Sequence, residues 1–192
     1  MYIITGIGRS GTSFIAEMFH NMGHSMGSYN ESIDAGFENV EVTEINKRIM
    51  SCEYVCNEVF TKKMSECAKS TKIAKDPRFL FTLGHWIHAE VNIDAVFYCT
   101  RNIEAIIESS EKTCAGNVAL LHGFDVVTKS TVFASLEKGF WLLCGNMHIP
   151  IFEIIFPESL TNFEEVKCLS IVDNNIDVLR EVWEKTKRTV ND

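Results

Sequence analysis

Apolar positions along this chain come in two alternating forms. Short unbroken runs occur at Tyr2-Ile3-Ile4-Thr5, at Ile73-Ala74, at Ala95-Val96-Phe97-Tyr98-Cys99-Thr100 and across 150–156. Each reads as a strand buried on both faces, because a strand covered by helices on either side has no polar face to show. Between them lie longer stretches whose apolar residues recur at spacings of three and four, which predicts helices. They cover 14–20, 37–50 with Val42, Ile45 and Ile49 on one stripe, a weaker 53–68, 79–90, 103–112, 130–147 and 176–188. In 130–147 the residues expected inward are Val132, Phe133, Leu136, Phe140, Leu143 and Cys144, with Trp141 also expected in the core. Strands that alternate with helices cross over to parallel neighbours. The pattern therefore predicts an α/β, three-layer fold, a central parallel sheet of about four to five short strands with helices on both faces.

Two segments break the periodicity. Gly23-His24-Ser25-Met26-Gly27-Ser28-Tyr29-Asn30, continued by Asp34-Ala35-Gly36, has loop composition, as has 113–128 with Gly116 and Gly123. The second is long enough to serve as a lid or an acceptor wall. No repeat, low-complexity segment or linker interrupts the chain, so 1–192 reads as a single domain.

Composition narrows the class. A chain of 192 residues, 46% of them hydrophobic, can bury a full core. It has no run of ~18 apolar residues such as a membrane span needs. Met1 leads straight into the first strand, which leaves no room for a signal peptide. Seven cysteines, an odd number without a Cys-x-x-Cys pair, fit a reduced cytoplasmic protein with small thiols in its core. The net charge of −8 argues against a broad nucleic-acid surface. It leaves room for a local basic cleft of Arg9, Lys75, Arg78 and Arg101. His85 and His88 stand three apart on a predicted helix, without acidic or cysteine partners at metal spacing, and read as surface or rim residues.

The chemistry is concentrated in Gly6-Ile7-Gly8-Arg9-Ser10-Gly11-Thr12-Ser13, a glycine-rich turn between the first strand and the first helix. Such a turn aims several backbone N–H groups at one anion, and the helix adds its positive end. Thr12 stands where an ATP-binding loop carries the lysine that reaches the outer phosphates. The cation here is Arg9, inside the loop, whose planar guanidinium suits a two-point grip on an oxyanion. Lys75-Asp76-Pro77 falls at the C-terminal end of a short strand, and Arg101 at the end of another. In open α/β sheets that edge is where ligands bind.

These residues resemble a family. Gly8-Arg9-Ser10-Gly11-Thr12-Ser13 is similar to the phosphosulfate-binding loop of sulfotransferases that use 3′-phosphoadenosine 5′-phosphosulfate (PAPS), in many of which arginine replaces a loop lysine. Phe37-Glu38-Asn39 and Asn46-Lys47-Arg48 follow the layout of a small bacterial-type branch, where an aromatic-Glu-acid segment opens a helix; Asn39 stands in place of the acid. Lys75-Asp76-Pro77-Arg78 occurs in the same branch, and its first three residues in protein-tyrosine sulfotransferases. Arg101, with Ser109 eight residues on, has the family's spacing, although Ile103 replaces a frequent proline. Pro157-Glu158-Ser159-Leu160 loosely resembles the Tyr-Glu-Asp-Leu-like turn after a late strand. The glycine-rich basic C-terminal segment of the cytosolic enzymes has no counterpart.

The resemblance implies a P-loop-like fold and sulfuryl transfer from PAPS, without a metal, to a hydroxyl or amine of a small-molecule, carbohydrate or peptide acceptor. It places the phosphosulfate on Gly8, Arg9, Ser10, Gly11, Thr12 and Ser13, and the 3′-phosphate on Arg101 and Ser109. Arg9 and Lys75 become the cations around the reacting group. Glu38 becomes the general base, with Glu31 second and Asp76 and His24 behind; the plain alternative for Glu38 is a carboxylate in the first turn of a helix. No nucleic acid or membrane partner is implied. Two other functions stay open, a nucleotide kinase with a degenerate phosphate loop and an inactive nucleotide-binding module.

Overall fold

The computed structural model describes residues 1–27, 36–51, 58–113 and 123–191. Its sheet has four strands, β1 (Tyr2–Gly6), β2 (Ile73–Lys75), β3 (Ala95–Thr100) and β4 (Ile151–Ile155), all parallel in the order β2-β1-β3-β4. Alternate residues feed opposite faces. Ile3, Ala74, Val96 and Tyr98 belong to one apolar core, and Ile4, Ile73, Phe97 and Cys99 to the other. Both sets are buried, which is why these strands appear in the sequence as unbroken apolar runs.

The first core is roofed by α2 (Val40–Met50), α3 (Glu58–Ser70), α4 (Phe79–His88), α5 (Ile103–Thr113) and α6 (Val126–Asn146). The second lies under α1 (Thr12–Asn21), a 3-10 helix at Phe163–Val172 and the terminal α8 (Ile176–Asn191). A short α7 (Glu158–Thr161) joins β4 to the 3-10 helix. Helices on both faces of a parallel sheet make the three-layer α/β arrangement that the pattern predicts. No helix among the described residues is long and apolar enough to cross a membrane.

The strand order places the site. From β1 the chain moves outward to β2, then returns across β1 to β3. The crevice above the C-terminal ends of β1 and β3 is thus a topological switch point, where open α/β sheets bind ligands.

Several boundaries differ from the sequence expectation. The helix expected over 37–50 begins at Val40, because the Asn39 side chain caps it by accepting from the N–H groups of Glu41 and Val42. Glu38 therefore precedes the helix and forms an isolated parallel β-bridge with Lys75. α6 starts four residues before the expected 130, since the Asp125 carboxylate caps it through the N–H of Thr128. Trp141, expected in the core, is 36% exposed, with its ring edge against Tyr98 at 5.6 Å. It lies on the outward flank of α6, while Phe140 and Cys144 of the same helix are buried. The terminal helix over 176–188 is found as α8, whereas α7 and the 3-10 helix between it and β4 were not anticipated. Their apolar residues Phe163, Val166 and Leu169 follow helical spacing but sit in a run too short and acidic to stand out.

Candidate functional site

The turn after β1 is shaped by backbone conformation. Arg9 has φ +75° and Gly11 φ +92°, both left-handed, so the chain reverses within five residues of the strand end. The Ser10 N–H donates to the Ile7 carbonyl at 3.1 Å, and the Phe14 N–H to Gly11 at 3.1 Å, where α1 begins. Gly11 is the N-cap of α1 and has no side chain to accept from the first-turn N–H groups; no acidic residue sits in that turn. The donors at Thr12 and Ser13 thus keep the positive end of the helix toward the turn. A Cβ on Gly11 would stand 2.5 Å from the ring of Phe156, which follows β4 and presses on the turn.

Two arginines meet there. Arg101, the first residue past β3, donates from Nη1 to the Arg9 carbonyl at 3.2 Å. Its guanidinium carbon lies 5.4 Å from the centroid of the Phe156 ring. Arg9 donates from Nε to the Ser109 hydroxyl at 3.1 Å, across from α5. The structure thus brings Arg9, Arg101 and Ser109 together, but Ser109 bonds Arg9, while Arg101 bonds the Arg9 backbone. The Ser10 hydroxyl, fully buried, the Arg101 Nε and the Ser110 hydroxyl have no hydrogen-bond partner among the described residues. Buried polar atoms are rarely left unpaired, because each costs its desolvation. Two of these atoms, the Ser10 hydroxyl and the Arg101 Nε, belong to the turn and to the arginine that bonds it, and with the N-terminus of α1 they suit an anion with several oxygens.

A second cluster sits one strand away. β2 pairs with β1 through Ile4 and Lys75; the Asp76 N–H donates to Ile4 and the Thr5 hydroxyl to the Asp76 carbonyl. Lys75, 1% exposed, donates to Glu38 Oε1 at 3.1 Å and to the Gly36 carbonyl at 3.2 Å. Arg78 Nη1 reaches Glu38 Oε2 at 3.1 Å and Asp76 Oδ1 at 2.9 Å. Asn46 Nδ2 donates to Asp76 Oδ2 at 2.9 Å, and Asn46 Oδ1 accepts from Thr82 and Trp86. Burial pulls the Lys75 ammonium below its ordinary pKa, with Glu38 opposing. Burial likewise raises Asp76, against the pull of Arg78 and the Asn46 amide.

Other expected residues fall elsewhere. His24 is half-buried just past α1, away from the turn, where its imidazole lies 2.7 Å from Asp173 and edge-on to Phe19. Asp76 is fully buried and committed to Arg78 and Asn46. Glu31 lies outside the described residues, as do Cys52, Cys56 and Cys114. Cys67, Cys99 and Cys144 are buried thiols as expected, and burial raises the first to about 11. His85 is half-buried and His88 exposed.

Phe156 and the Asn46 partners Thr82 and Trp86 fall in none of the sequence motifs. For Asn46 a signal exists: it interrupts the Val42, Ile45, Ile49 stripe at a buried position, where an amide is costly unless both its ends are bonded. Phe156 has no such signal, since its approach to Gly11 depends on β4 lying beside β3. Comparison with protein-family models, with curated proteins and with solved structures gives no match for this chain.

Proposed function

We propose that this protein transfers the sulfuryl group of PAPS to a hydroxyl or amine of a small-molecule, carbohydrate or peptide acceptor. One observation carries the reading. Arg9 and Arg101 converge on a glycine-rich helix N-terminus that has Thr12 in the lysine position of an ATP loop and the unpaired Ser10 hydroxyl beneath it. A phosphate-like group fits that set of donors, and the outer phosphates of ATP lack their usual partner.

In the reaction the bond between sulfur and the bridging oxygen breaks, and a bond from sulfur to the acceptor oxygen or nitrogen forms. The electron pair stays on the departing 5′-phosphate, giving adenosine 3′,5′-bisphosphate. Arg9 and the N–H groups of Gly11, Thr12 and Ser13 are fixed donors for that growing charge. Gly8 and Ser10 shape the turn, and Arg101 with Ser109 takes the 3′-phosphate. The acceptor proton goes to Glu38, whose carboxylate is held at the C-terminal sheet edge by Lys75 and Arg78. Lys75, in the same contact, is the second cation toward the transferred group.

The test is transfer of label from 35S-PAPS to a panel of hydroxyl and amine acceptors, with calorimetry of adenosine 3′,5′-bisphosphate against ATP with magnesium. The reading expects labelled product and tighter binding of the bisphosphate. Tighter binding of ATP would overturn it in favour of the degenerate kinase. Bisphosphate binding without transfer to any acceptor would leave an inactive nucleotide-binding module.

A further inference from the structure

We propose that Asn46 is a positioning residue for Glu38, acting through Asp76 and Arg78. This rests on the sulfuryl-transfer reading, in which Glu38 takes the acceptor proton. Asn46 is 0% exposed, on the apolar stripe of α2. Its Oδ1 accepts from the Thr82 hydroxyl and the Trp86 indole N–H, both at 2.8 Å. Two donors on the carbonyl fix the amide orientation, so Nδ2 faces Asp76. Asp76 Oδ2 takes that N–H, while Oδ1 accepts from the Arg78 backbone at 2.8 Å and from Nη1 at 2.9 Å. The same Nη1 reaches Glu38. Three contacts therefore join α2 to the base.

The route has an electrostatic consequence. While Asp76 is ionised, the Arg78 charge is shared between two carboxylates. Once Asp76 takes a proton, that charge falls on Glu38 alone, and a carboxylate facing a full cation is a weaker base. Asn46 opposes this by donating to Asp76 in a place where burial favours the neutral acid. Among the described residues, the charged groups that face Asp76 are Arg78, Glu38 and Lys75, and the side chains that reach this chain of contacts from α2 and α4, Asn46, Thr82 and Trp86, are neutral.

Asn46→Ala and Asn46→Asp test the proposal, with two readouts: the single-turnover transfer rate against pH, and 13C NMR titration of the Asp76 carboxyl. In N46A the Asp76 midpoint rises by about one pH unit, the size of one lost hydrogen bond. The acid limb of the rate profile rises with it, while affinity for adenosine 3′,5′-bisphosphate stays within about two-fold, since no part of the route touches the phosphate turn. N46D is isosteric and serves if N46A does not fold. Protonated, its new side chain donates to Asp76 as the amide does; ionised, it repels Asp76, which then holds its proton to higher pH, so the acid limb of the rate profile moves up. An Asp76 midpoint that does not move, or variants with the wild-type rate profile, overturns the relay. If wild-type protein transfers no sulfuryl group but the Asp76 midpoint moves, the transfer reading falls and the relay between Asn46 and Asp76 stands. If wild type transfers and the variants are rate-neutral, the relay falls alone.

Discussion

Gly11→Ala probes the turn at its tightest point. Two costs can be worked from the structure. Gly11 has φ +92°, and an L-residue held in left-handed backbone costs about 1 to 2 kcal/mol. Its new Cβ would meet three Phe156 ring atoms at 2.5, 2.6 and 2.9 Å, closer than carbon atoms tolerate, so the ring or the turn must move. Overpacking of that kind costs about 1 to 3 kcal/mol. The sum, about 2 to 5 kcal/mol, lowers Tm by about 4 to 20 °C at this chain length. Because Phe156 also sits against Arg101, its displacement loosens the anion site, and affinity for adenosine 3′,5′-bisphosphate drops as well. The assay is a double-mutant cycle with Phe156→Ala, read by urea unfolding. Removing the ring removes the clash but not the backbone strain, so the double variant is more stable than additivity predicts by about 1 to 3 kcal/mol. Additivity within about 0.5 kcal/mol would refute the contact, and a G11A protein of wild-type stability would refute the whole account of the turn.

The remaining predictions concern charge. Arg101→Ala should weaken binding of adenosine 3′,5′-bisphosphate by about ten- to a hundred-fold, the worth of a charge-assisted contact, and that of adenosine 5′-phosphate far less. Equal losses in calorimetry would remove Arg101 from the 3′-phosphate. Glu38→Gln should slow single-turnover transfer by about 100-fold or more while bisphosphate binding survives, and an unchanged rate would move the base elsewhere. His24 has its pKa lowered from 6.5 by burial, with Asp173 opposing. The unfolded chain therefore binds a proton there more readily than the folded one, so stability is complete above about 6.5 and declines as pH falls from there toward the folded value. His24→Gln should flatten that part of the stability curve, and an unaltered slope in urea melts would show that another group sets it.

What the sequence revealed follows from the range of the interactions involved. The strands were legible because both sheet faces are covered: Ile3 and Ile4 are each 0% exposed though they face opposite cores, and only an apolar run permits that. The turn was legible because glycine and its neighbours act within a few residues. The pairing of Glu38 with Lys75 was not, since it closes across 37 positions and depends on β2 lying beside β1. The same holds for Arg9 and Ser109, which meet across 100 positions. Trp141 misled because helical spacing gives the angle of a residue but not the width of the layer beneath, and on α6 that layer buries Phe140 and Cys144 instead.

The two clusters at the sheet edge differ in how their charges are balanced, and under the transfer reading that difference suits them to different roles. Among the described residues, two cations face two carboxylates around Glu38, Lys75 and Arg78 against Glu38 and Asp76, so these four charges balance. Such a group gains little by admitting another anion, because a bound phosphate would have to displace a carboxylate already paired in a dry setting. At the turn, the cations' hydrogen-bond partners among the described residues are dipoles, Arg9 donating to the Ser109 hydroxyl and Arg101 to a backbone carbonyl, with the exposed Glu108 carboxylate acting on Arg101 only through space. A hydroxyl and a carbonyl orient a guanidinium without neutralising it. The excess positive charge of the sheet edge thus sits at the turn, added to the N-terminus of α1, and an incoming dianion finds its complement there. Under the transfer reading the balanced cluster suits the other half of the chemistry, since taking up the acceptor proton leaves it with one net positive charge, which complements the negative charge growing on the departing phosphate.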